Sequence, residues 1–167
     1  MSNVAERQDT VNEMGTESSP RTAAGDAFSE LVVRLFRLNG LLAAEGETLA
    51  RPTGQTTARW QVLAMIEDGP LTVAQIARTL GLARQSVQRV ADALEEVGLV
   101  TYEDNPRHRR ARLVTLTDEG GVTLSTIQAA QRPWADTLGR SVGERELRKA
   151  IIVLDRVLEV MTARRPR

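Results

Sequence analysis

Phe28, Leu31, Val32, Leu35, Leu38 and Leu42 recur at the three- and four-residue spacing of one helix face, which predicts a helix from Asp26 to about Gly46. Arg51-Pro52-Thr53-Gly54 interrupts it. A second helix is expected from Thr56 or Thr57, carrying Trp60, Leu63 and Ile66 and stopped by Asp68-Gly69-Pro70. Thr72-Val73-Ala74-Gln75 has the form of a capping box, in which the threonine and the glutamine three residues on satisfy each other's helix-start amides. The helix it opens presents Val73, Ile76, Ala77 and Leu80 on one face. Gly81 supplies a tight turn, and a longer helix is predicted over 83–97 with Val87, Val90, Ala91 and Leu94 inward and Gly98 as its C′ glycine. A short helix, a glycine-containing turn and a longer helix make a helix-turn-helix.

Residues 99–103 and 112–116 are β-branched and partly alternating, and read as two strands. The hairpin tip between them holds Arg107, Arg109, Arg110 and Arg112 within six residues and no acid among them. Thr117 caps a further helix over about 118–138, and a last one spans about 144–163. Along that last helix Leu147, Ile151, Leu154, Leu158 and Met161 step by 4, 3, 4 and 3, a coiled-coil-like seam, while Ile152, Val153, Val157 and Val160 lie outside it. A helix apolar nearly all round wants cover on several sides, which in a chain of 167 residues points to a partner subunit. Residues 1–25 carry Glu6, Asp9, Glu13 and Glu17 against two arginines without periodicity, and read as a disordered acidic tail. The expected fold is mainly α with a small β-hairpin wing (α+β), a winged helix-turn-helix lobe at 56–117 joined to a helical region at 26–46 and 118–163.

Composition removes several function classes. There are no cysteines, so disulfides, thiolate metal sites and thiol switches are excluded, and one histidine, His108, cannot build a multi-histidine zinc site. No P-loop, dinucleotide fingerprint or cysteine nucleophile is present, so neither an enzyme nor a bound cofactor or metal is expected. No secretory signal or membrane-length apolar run is visible, and the simplest location is the cytoplasm. Acids and bases balance at 22 each, so the position of charge is more informative than its sum.

At 100° per residue, the outward face of the 83–97 helix carries Gln85, Gln88, Arg89, Asp92 and Glu96, amide and guanidinium first and acidic last. That polarity suits a helix inserted by its N-terminal end into the major groove, where glutamine pairs with adenine and arginine with guanine. The same residues also suit a solvated amphipathic helix. The hairpin weighs against that, because clustered arginines repel one another unless an anion is near, and arginine is the usual insert for a narrow minor groove. Arg84, Gln85, Ser86, Gln88 and Arg89 on the helix, Arg107, His108, Arg109 and Arg110 on the wing, and Thr72 are the candidate DNA contacts. His108 reads either as a solvated loop residue or as a phosphate contact strengthened by protonation.

Trp60-Gln61-Val62-Leu63, Gly69-Pro70-Leu71-Thr72, Ile76 to Leu82, Leu94 to Val100, the wing from Asn105-Pro106 to Arg109-Arg110, and Leu116 to Gly120 together resemble the MarR family of bacterial transcriptional regulators, over about residues 27–163. The resemblance implies a homodimer whose first helix and last two helices interlock, placing Phe28, Leu31 and Leu35 with the Leu147, Ile151, Leu154, Leu158 and Met161 seam in the interface. It also implies a pseudo-palindromic double-stranded DNA operator with half-sites roughly 10 bp apart, repression, and release by a small, often aromatic, ligand bound between the dimerisation helices and the DNA-binding lobe. Two residues depart from the family pattern. Ala83 stands where a serine or threonine usually caps the recognition helix, a loss of roughly 1 kcal/mol. His108 replaces the acid that in the family buttresses the arginine at position 110, a role open to Asp104. Phe36, Arg59, Trp60 and Trp134 are the candidates for lining a ligand pocket, though tryptophans on packed helices are more often core. The rival function is a winged-helix dimer serving as a protein-interaction or ligand-binding module without specific DNA binding.

Overall fold

The computed structural model describes residues 21–108 and 110–164; the acidic tail up to Pro20 and the wing residue Arg109 lie outside the described residues. By contact the chain divides into two units, one ending at Gly40 and one beginning at Leu41. Helix α1, Ala23–Ala50, begins three residues before Asp26 and outlasts Gly46 by a turn, because nothing between Gly46 and Ala50 disfavours helix until Pro52. In the first unit Phe28 and Phe36 are exposed while Leu31 and Leu35 are half-buried.

The second unit holds the remaining elements: α2 Thr57–Met65, β1 Leu71–Thr72, α3 Val73–Leu80, α4 Arg84–Glu96, β2 Val100–Glu103, β3 Leu113–Leu116, α5 Asp118–Val142 and α6 Glu144–Ala163. A 3-10 turn over Arg51–Thr53 and a left-handed Gly54 form the predicted interruption. Gly46 lets α1 close on α2, since a Cβ there would sit 2.7 Å from Thr57 Oγ1. Thr57 closes the same corner, its hydroxyl donating to the Ala43 carbonyl at 3.0 Å and its amide to Glu47 Oε1 at 2.8 Å.

Both halves of the predicted capping box form at α3: the Gln75 amide donates to Thr72 Oγ1 at 3.2 Å, and Gln75 Oε1 accepts from the Thr72 amide at 2.8 Å. Gly81 is left-handed at φ 68°, releasing the chain into α4. Val62, Leu63 and Ile66 of α2, Val73, Ile76 and Ala77 of α3, and Val87, Ala91 and Leu94 of α4 form one buried cluster with Leu99, Val100, Val114 and Leu124. The three-helix lobe and the sheet therefore share a core, which fixes the pose of α4 relative to the hairpin.

The sheet has three strands in the order β1-β3-β2, all antiparallel, with Tyr102 opposite Val114 and Leu71 pairing with the other edge of β3 at Val114. The two-residue β1 was not expected from the sequence: it is too short to carry a period and merges into the capping box. Thr117 bolts the exit of α4 to α5, donating to the Gly98 carbonyl at 2.8 Å and accepting from the Gly120 amide at 3.0 Å. Gly120 is required there, because a Cβ would run into the Leu99 carbonyl oxygen. Helix α5 runs four residues past position 138, to Val142. Helix α6 packs on α5 and has no buried residue: Ile151, Leu158 and Met161 are 54%, 61% and 53% exposed, and Leu154 is half-buried. Among the described residues no helix is long and apolar enough to cross a membrane.

Candidate nucleic-acid interface

Helix α4 begins without a side-chain cap, as Ala83 requires; Ser86 and Val87 return their amides to the Ala83 carbonyl at 3.0 and 3.2 Å. Arg84, Gln85 and Arg89 are exposed on its first two turns, and Ser86 is half-buried. The helix macrodipole adds partial positive charge at this end, where two arginines already stand. Glu95 and Glu96, both exposed, keep the acidic end at the opposite terminus.

Gln88 and Asp92 do not project freely as their angular positions suggested. Both are half-buried and tied to Tyr102 of β2: Gln88 Nε2 donates to Asp92 Oδ1 and to the Tyr102 hydroxyl at 2.7 Å each, and that hydroxyl donates to Asp92 Oδ1 at 2.8 Å. Burial, and then the hydrogen bond and charge of Asp92, push the Tyr102 hydroxyl well above its ordinary value, so it stays protonated and donating. A wheel projection sees only α4 itself, and the strand residue that captures Gln88 enters from 14 positions away.

Tyr102 also organises the wing. The Arg112 guanidinium lies 5.0 Å from the centre of its ring and donates to its backbone carbonyl at 2.6 Å. Arg112 is thus a brace, although it belongs to the same arginine run as Arg107 and Arg110. Asn105 shapes the turn, its Oδ1 accepting from the Arg107 amide at 3.0 Å and its carbonyl from the His108 amide at 3.1 Å. Among the described residues neither Asp104 nor Arg110 is in an ion pair, so Asp104 does not take the buttressing role. Arg107, His108 and Arg110 are exposed.

Between α4 and the hairpin runs a groove of about 270 Å³ whose walls carry Arg84, Arg110 and Arg112, with Gln88, Asp92 and Tyr102 along it and Glu95 at its acidic end. Thr72 also lines it, but is buried, with its hydroxyl donating to Gln75 Oε1 at 2.8 Å and accepting from the Gln75 amide; its polar atoms are committed to the cap. Of the ligand-pocket candidates, Trp60 packs against the core cluster and Arg59 donates to Gln55 Oε1 at 3.4 Å. Trp134 is half-buried on α5, and Phe36 lies in the unit that ends at Gly40. Sequence reasoning passed over Tyr102 and Arg112 as working residues. The signal for both was faint: a lone tyrosine on a strand and the last arginine of a basic run.

A helix-turn-helix whose second helix exposes arginine and amide at its leading end, flanked by an arginine-bearing hairpin, defines a winged helix-turn-helix DNA-binding protein. The MarR family model matches residues 53–111, from the 3-10 turn through the wing. An uncharacterised protein of Mycobacterium tuberculosis is 39% identical over 141 residues, covering 84% of this chain and 99% of that one. The transcriptional activatory protein BadR of Rhodopseudomonas palustris is 32% identical over 105 residues, 58% of this chain and 60% of BadR. The structure of Staphylococcus aureus MarR in complex with salicylate and kanamycin shares the fold, with a TM-score of 0.70 at 17% identity over 86% of this chain and 100% of that one. The chain belongs to the MarR family of winged-helix transcriptional regulators.

Proposed function

We propose that two copies of this chain bind a pseudo-palindromic operator and repress transcription from it. Helix α4 of each copy enters a major groove by its N-terminal turns, and the hairpin follows the flanking backbone or minor groove. The observation that carries this reading is the arrangement around the groove between α4 and the hairpin: Arg84 and Arg110 line it, and Gln85 and Arg89 stand exposed on the same first turns of α4 as Arg84. None of the three arginines is in an ion pair among the described residues, so their charge is free for DNA. The uncovered apolar surface of α6 supports dimerisation, with Leu147, Ile151, Leu154, Leu158 and Met161 as the seam and Phe28, Leu31 and Leu35 of α1 joining it. Two-fold symmetry then sets half-sites roughly one helical turn, about 10 bp, apart.

Repression follows when such an operator overlaps a promoter. BadR, by its name an activator, marks the alternative outcome of the same binding when the operator lies upstream. A small aromatic effector is proposed to release the DNA, on the analogy of the salicylate complex of S. aureus MarR; Trp134 and Arg59, on helices α5 and α2 that pack together, are the residues of the second unit best placed to meet it. Selection of bound sequences from a random duplex pool tests the reading. A palindrome should be enriched, and failure to enrich any sequence while the folded protein captures other proteins would favour the interaction-module reading.

A further inference from the structure

The Gln88 amide is oriented by its neighbours. A carboxylate only accepts hydrogen bonds, so with Asp92 Oδ1 2.7 Å away the amide turns its nitrogen, not its oxygen, toward Asp92. The Tyr102 hydroxyl has one hydrogen, and Asp92 takes it at 2.8 Å. The hydroxyl therefore meets Gln88 as an acceptor, 2.7 Å from the same nitrogen. The nitrogen end of the amide is thus turned toward the Asp92–Tyr102 pair. The Gln88 carbonyl oxygen accepts nothing among the described residues and is not among the polar atoms sealed from solvent without a partner, so it is open to solvent on a residue that lines the groove.

We propose that Tyr102 and Asp92 make Gln88 an acceptor-only reader of the major groove, so that it selects the amino-bearing bases cytosine and adenine over guanine and thymine. A free glutamine pairs bidentately with adenine, accepting from N6 and donating to N7. With its nitrogen turned to Asp92 and Tyr102, Gln88 presents its oxygen and not a donor to N7, and adenine loses its advantage over cytosine, which offers the N4 amino group. Guanine and thymine present only acceptors, or acceptors and a methyl group, along that edge and leave the Gln88 oxygen unpaired. Tyr102 and Asp92 are positioning residues that touch no base. This inference rests on the reading of α4 as the base-reading helix.

The test compares full-length wild-type protein with Tyr102→Phe and Asp92→Ala by selection from a random duplex pool, followed by titration of single-base variants of the enriched site. Phenylalanine keeps the ring beneath Arg112 and removes only the hydroxyl. The wild type should accept cytosine and adenine comparably at one position per half-site and reject guanine and thymine there. Each variant frees an amide hydrogen and should shift that position toward adenine by about tenfold, leaving other positions unchanged. The Gln88→Ala/Tyr102→Phe double variant should lose the shift and the preference together. A wild-type preference for guanine or thymine at every α4-contacted position would overturn the proposal. Weakening by Tyr102→Phe that is uniform across sequences would also overturn it, since that marks a merely structural hydroxyl. If the folded wild type enriches no sequence at all, the operator reading fails and this inference falls with it.

Discussion

Arg112 and Arg110 sit two residues apart on a basic wing, yet their different surroundings predict opposite phenotypes on alanine substitution. Arg112→Ala removes a hydrogen bond of 2.6 Å to the Tyr102 carbonyl and a guanidinium 5.0 Å from the Tyr102 ring. An exposed hydrogen bond contributes about 0.5–1.5 kcal/mol and an exposed cation–π contact about 0.5–1 kcal/mol. Together they make about 1–2.5 kcal/mol, or a fall in melting temperature of roughly 2–10 °C for a chain of this size. Arg110 makes neither contact, so Arg110→Ala should leave the melting temperature unchanged and cost DNA binding instead. Losing one phosphate contact per subunit flattens the slope of log K against log salt by about 0.9, or about 1.8 for a symmetric dimer. Differential scanning calorimetry and salt titrations on one duplex read the two effects separately. A reduced salt slope with an unchanged melting temperature for Arg112→Ala, or the reverse for Arg110→Ala, would refute this assignment of brace and contact.

The bolt between α4 and α5 should be costly to remove: Thr117→Val loses the cap on Gly120, about 1 kcal/mol, and the bond to the Gly98 carbonyl, about 1 kcal/mol more. Its melting temperature should fall by roughly 4–8 °C, and an unchanged value would remove Thr117 from the joint. Tyr102 is the chain's only tyrosine, so tyrosinate absorbance reports on it alone. Burial and Asp92 raise its folded pKa above the ordinary 10.0, so the native state keeps a proton that the unfolded chain gives up. The linked stability is fully present below about pH 10 and is lost as pH climbs from there through the raised value; ionisation at the ordinary value would contradict the buried network. Leu154→Glu places a carboxylate in the α6 seam and should convert dimer to monomer in sedimentation velocity. A well-folded Leu154→Glu dimer would move the interface elsewhere.

The lobe's architecture was legible because its determinants are local. The Thr72–Gln75 box, left-handed Gly81 and Gly98, and the 3.6-residue spacing of Val87, Ala91 and Leu94 each act within a few residues of the chain, and each stands where the periodicity put it. The strand β1 was not legible, since two residues have no period and are defined only by pairing with β3, more than 40 residues away. The same distance effect divided the interface. Gln85 and Arg89 were readable from the helical wheel, whereas the capture of Gln88 by Tyr102 and the bracing of Arg112 depend on how β2 docks against α4. The side-chain hydroxyl of Thr72 is spent on the capping box that its own sequence motif announces, and reading it also as a DNA contact counted one donor twice.

The central claim is that two chains grip a symmetric site through the N-terminal turns of α4 and the wing. Salt-dependent titration of the enriched duplex, with stoichiometry read from the same complexes, tests it most directly. Two chains per palindrome should bind, and log K should fall by about 0.9 for every phosphate neutralised, with Arg84→Ala and Arg110→Ala each flattening the slope. Binding by a single chain, or an affinity indifferent to salt, would contradict the account.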